Sequence, residues 1–252
     1  AIPLLAAAHP EDEFCLPGQP GIDPALCRAI AALQQSDVGS AATVLQPLTD
    51  ESGNVRGFWS TFGLYTSIGV DHILPGGLDH ILFVIALCLA STRLRALVIQ
   101  ISTFTVAHTA TLGLAAAGII APPASVVEPL IAATIAFVAV ENLIFRDMNR
   151  WRPLIVFGFG LIHGLGFAGF FGELGLPPNQ FWSALLGFNL GVEIGQLSVV
   201  AGVLLLSTLL LRMHHEPVTA ERRYRQLLVV PASLAIAATG AWWAVTRVLS
   251  SG

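Results

Sequence analysis

The chain has 252 residues, 54% of them hydrophobic and 11% charged, with a formal net charge of -4. Soluble domains carry about 25% charged residues, so the composition excludes an ordinary soluble fold and points to an all-α integral membrane bundle. The acidic balance argues against nucleic acid as a partner, and because all 12 basic residues are arginine, lysine Schiff-base chemistry is excluded.

In chain order, residues 1–8 (AIPLLAAA) read as the tail of a signal peptide, with cleavage after Ala8 leaving His9 at the terminus. Residues 9–57 are polar and acidic and form a small extracytoplasmic segment. Its stretch PALCRAIAALQQ has the spacing of one short amphipathic helix. Cys15 and Cys27 lie in this segment, and outside the cytoplasm they would pair as a disulfide. Residues 58–252 form the transmembrane bundle. It begins with an outer interfacial helix over 58–74, with Trp59 and Tyr65 at headgroup depth, ended by Pro75-Gly76-Gly77. About six spans follow, at roughly 78–92, 94–117, 124–146, 152–173, 179–212 and 226–249. Cys88, in the first of them, reads as a small buried hydrophobe.

Arginine placement predicts the orientation. Arg93 and Arg95, then Arg146, Arg150 and Arg152, then Arg212, Arg222, Arg223 and Arg225 fall in alternate loops. The loops between them, IIAPPAS and LGLPPN, carry none. By the positive-inside rule the arginine loops are cytoplasmic and both termini lie outside, in a bacterial inner membrane.

Ionisable groups at membrane depth cost from about 2.5 kcal/mol upward and by default mark function. The first span opens with Asp79 and His80. The second carries His108 beside Thr109, the third Glu141 and Asn142, and the fourth His163. In the fifth, Asn189, Glu193 and Gln196 recur at i, i+4 and i+7, one stripe of a helix. Counted along the spans, His108, His163 and Glu193 fall near mid-membrane, Asp79 and His80 nearer the outer face, and Glu141 toward the inner face. Imidazole with carboxylate suits zinc, nickel or cobalt. Asp79, Asn189, Gln196 and the threonines supply outer-shell partners for such ligands. Glu141 reads equally well as bonding a neighbouring backbone. Glu128 and Asp71 read as solvated groups at the interface, and His214-His215 as surface. Glycines flank His163 (Gly160, Gly164, Gly166) and Glu193 (Gly187, Gly191, Gly195), so helices can approach closely there.

The segments GGLDHILFVIAL, FTVAHTATL, VEN, FGLIHGLGFAG and FNLGVEIGQ, in this order, resemble the HupE/UreJ family of bacterial membrane proteins. The resemblance implies uptake of nickel or cobalt. It also implies a metal-handling signature of a histidine shortly before an Asp-His pair, here His72, Asp79 and His80. Six residues separate His72 from Asp79, where better-known members have four or five. His108-Thr109 is similar to the His-Ser/Thr motif of the broader nickel/cobalt permeases. On this reading a divalent metal is the cargo. It passes from His72 to His80 and on to the level of His108, His163 and Glu193. Two other readings stay open. One is an intramembrane zinc hydrolase with Glu141 or Glu193 as general base, although no HExxH motif is present. The other is a metal-binding accessory subunit of a larger membrane complex, with lipid around it in either case.

Overall fold

The computed structural model describes residues 56–91, 93–145, 151–167, 179–212 and 224–250. The expected signal-peptide tail, the Cys15–Cys27 pair, the amphipathic helix near it and His214-His215 lie outside these residues. Within them every element is helical.

Seven helices follow one another: α1 (Phe58–Ile73), α2 (Leu78–Ala90), α3 (Leu94–Ala116), α4 (Ala124–Ile144), α5 (Arg152–Gly166), α6 (Phe181–Arg212) and α7 (Val230–Ser250). A single π turn, Arg225–Val229, leads into α7. Among the described residues, four helical stretches are long and apolar enough to cross a bilayer: α3, α4, α6 and the π turn with α7. A fifth crossing exists if α1 and α2 are counted as one broken span, bent by 71° at residues 74–77. With 15 residues, α5 reaches about 22 Å, short of the roughly 30 Å hydrocarbon core. Of the expected six spans, four or five pass as crossings among the described residues, and the end of the expected fourth, 168–173, lies outside them.

The expected outer helix, α1, docks on α6 along a glycine seam. A Cβ on Gly187 would strike the Phe62 carbonyl, one on Gly191 the Thr66 carbonyl, and one on Gly69 the Phe188 carbonyl. Only glycine lets two backbones come this close. Similar contacts set α5 on α3 at Gly160 and Gly164, and α7 on α4 at Gly240.

Two apolar clusters fill the interior. One gathers Phe83, Leu87, Phe104, Ile135 and Val200 from α2, α3, α4 and α6. The other gathers Tyr65, Ile73, Leu112, Phe167 and Phe188 around the α1–α6 contact. The polar residues of interest lie at the seam between them.

Candidate functional site

Four histidines meet at that seam. His72 is in the last turn of α1 and His80 in the first turn of α2. The break between the helices bends the chain by 71°, and a cis peptide bond joins Leu74 to Pro75. Gly77 is required at this bend, because a Cβ there would strike the His72 carbonyl. The His72 and His80 rings stand 4.9 Å apart, centre to centre. His80 also meets His163 of α5 at 5.0 Å and His108 of α3 at 6.0 Å. It is the hub of a chain of four imidazoles from four helices, all of them buried. Phe83 and Phe104 close one side, and Phe167 and Phe188 the other.

Hydrogen bonds fix two of the rings. Asn189 Nδ2 donates to the Leu185 carbonyl at 2.8 Å, so its Oδ1 faces His108 Nδ1 at 3.0 Å as an acceptor. His108 Nδ1 must therefore carry the proton, and Nε2 keeps a lone pair. The Thr134 hydroxyl donates its only hydrogen to the Ile131 carbonyl at 2.7 Å. It can then only accept from His163 Nε2, 2.9 Å away, which leaves the lone pair on Nδ1. Those two lone-pair nitrogens, His108 Nε2 and His163 Nδ1, are buried without a hydrogen-bond partner, as is His80 Nε2. Buried polar atoms are normally satisfied. Buried imidazole nitrogens of this kind could ligate a metal, and the rings of His108 and His163 are each backed by an outer partner as metal-binding histidines are.

The other expected residues are placed less centrally. The Asp79 carboxylate receives both guanidinium nitrogens of Arg247, at 2.9 and 3.2 Å. Glu193 is half-buried and accepts from the Ser102 hydroxyl at 2.7 Å. Its placement is on the α3–α6 contact, and no histidine is bonded to it. Gln196 receives a hydrogen bond from Thr105 at 3.4 Å, and Thr109 bonds the Thr105 carbonyl. At the far end, Glu141 sits 3.5 Å from Arg152. Asn142 accepts from Arg152 and donates to the Ala86 carbonyl. This network ties α2, α4 and α5 together away from the imidazoles. Among the described residues, no three His, Cys, Asp or Glu side chains converge in a metal-ligating arrangement as they stand. The imidazoles form a relay of neighbours rather than a closed cage.

Sequence reasoning passed over Arg247, Thr134 and Ser102. Arg247 carried a signal, as the one charge in an apolar run of 226–249. Thr134 and Ser102 carried none, since hydroxyls in apolar helices usually bond their own backbone.

A family model described as HupE / UreJ protein matches residues 49–247. The chain belongs to the HupE/UreJ family. Neither curated proteins nor solved structures gave a match. The HupE/UreJ match covers every described helix up to Arg247, which includes all four clustered histidines. The family is generally associated with nickel and cobalt transport.

Proposed function

We propose that this HupE/UreJ protein is a membrane permease for a divalent transition metal, nickel or cobalt, and that the imidazole relay is its path. The observation that carries the reading is the set of bare nitrogens on His80, His108 and His163, two of them held as lone pairs by Asn189 and Thr134. Imidazole nitrogen suits nickel and cobalt, and selectivity follows from ligand type and geometry. A relay in place of a cage fits transport, because an ion has to leave as readily as it enters. His72 would receive the ion, His80 would pass it on, and His108 and His163 would hold it next. Each hop needs small ring rotations. The alternation of arginine-rich and arginine-free loops supports a bacterial inner-membrane orientation with both termini outside.

The test is uptake of radiolabelled nickel and cobalt into proteoliposomes. His80→Ala removes the hub and should lower uptake at least tenfold, while the protein stays monodisperse in detergent. Uptake at the unaltered rate in a folded His80→Ala protein would remove the relay from the path.

A further inference from the structure

Arg247 is the feature that the relay does not explain. It comes from the last helix, α7, and reaches across to the first turn of α2. There it holds Asp79, the residue next to the hub His80, through two hydrogen bonds. One of the same nitrogens donates to the Glu128 backbone carbonyl at 3.2 Å, and the guanidinium carbon stands 5.4 Å from the Trp243 ring. The pair is about one-fifth exposed on each side, so it sits at the rim of the buried site. A carboxylate beside an imidazole is a natural landing place for a divalent cation. In this structure a cation already occupies that carboxylate, and it is tethered to the protein.

A second carboxylate stands ready. The Glu128 backbone is in contact with Arg247, and among the described residues its own side chain makes no ion pair. Resting on the proposed permease function, we infer that Arg247 is a built-in competitor for the cargo. An arriving metal ion displaces the guanidinium from Asp79, and Arg247 moves to the Glu128 carboxylate. Asp79 is paired both before and after the exchange, first by Arg247 and then by the metal, and Arg247 moves to a carboxylate that has no ion pair beforehand. The guanidinium fork is a strong, directional match for a carboxylate, so only an ion with comparable hold on Asp79 and His80 displaces it. Arg247 is then a residue that sets affinity and release, through Asp79, without touching the ion.

The experiment is a cobalt(II) titration of the full-length protein in detergent, read by visible absorption and by calorimetry, with His80→Ala as the control for the relay. Arg247→Gln should bind cobalt at least tenfold more tightly than the unaltered protein. Arg247→Lys keeps the charge but loses the fork, and should tighten binding by a smaller factor. Glu128→Gln removes the landing place and should weaken binding severalfold, although it lies outside the relay. A purely structural Arg247 predicts the reverse: weaker binding in both Arg247 variants and no change in Glu128→Gln. That pattern overturns the exchange. If Arg247→Gln does not fold, the opposite shifts of Arg247→Lys and Glu128→Gln decide it. Binding that survives His80→Ala refutes the relay itself. Tight binding lost in His80→Ala, with the Arg247 and Glu128 variants unchanged, refutes the exchange alone. If cobalt binds neither the unaltered protein nor any Arg247 variant, both fail.

Discussion

At the scale of single residues, the roles of Asn189 and Thr134 follow from proton counting. Each fixes which ring nitrogen of its histidine carries hydrogen. Losing an outer-shell partner typically lowers metal affinity about 10- to 100-fold. Asn189→Leu should do this at His108, and Thr134→Val should do it at His163 while keeping side-chain volume. Thr134→Ser, which restores the hydroxyl, should recover most of the loss. Cobalt titration checks all three, and equal affinity in Thr134→Val and the unaltered protein would show that the His163 tautomer does not matter. The histidines themselves were legible in the sequence, because an imidazole in an apolar run stands out. Asn189 was legible by its stripe with Gln196. Thr134 was not, since nothing in ATIAFVAV separates a hydroxyl that serves a histidine from one that serves its own helix. For Glu193 the packing adds what the stripe alone does not show. It belongs to the same stripe as Asn189, yet it turns to Ser102. A stripe spans more than one neighbour, and only packing decides which residue faces which.

At the scale of elements, α1 and α6 stand or fall by their glycines. Gly191→Ala would drive a methyl into the Thr66 carbonyl, with the Gly69 Cα only 2.8 Å away. Backbone cannot yield as a side-chain tip can, so destabilisation of about 1–3 kcal/mol or more is expected. Gly202→Ala, on the same helix with nothing within 4 Å, should be harmless or slightly stabilising. Thermal melting in detergent separates the two, and equal melting temperatures would mean the helices shift freely at the seam. The helix boundaries followed well from apolar runs and the Pro-Gly-Gly break. That α1 docks on α6 did not follow, because an aromatic start does not say what a helix packs against. The glycines were read as close-approach sites around Glu193, and they are, but the helix that approaches is α1.

At the scale of the whole molecule, the arginine count predicts sidedness, which can be measured directly. Leu94→Cys and Ile119→Cys place exposed thiols at opposite ends of α3, at 58% and 68% exposure of the native side chains. With the native cysteines replaced, a membrane-impermeant thiol reagent applied to intact spheroplasts should label position 119 and spare position 94. The reverse pattern would invert the bundle and the direction of flow along the relay. Composition made the membrane class legible from the first count of charges. The number of crossings was less so, since α2 is too short to span alone and gains a partner only through the bend.

That bend has one more consequence. A helix ends in about half a negative charge at its carboxyl end and half a positive charge at its amino end. Breaking the chain at residues 74–77 brings one end of each kind close to the imidazoles, with His72 in the last turn of α1 and His80 in the first turn of α2. Asp79, in the first turn of α2, offsets the positive end. The two helix ends oppose each other, and the Asp79–Arg247 pair is neutral as it stands. Once the exchange proposed above frees Asp79, its carboxylate tips the local field toward a cation before a single imidazole nitrogen has been engaged. Discrimination by charge then begins at the rim, and discrimination among metals is left to the rings.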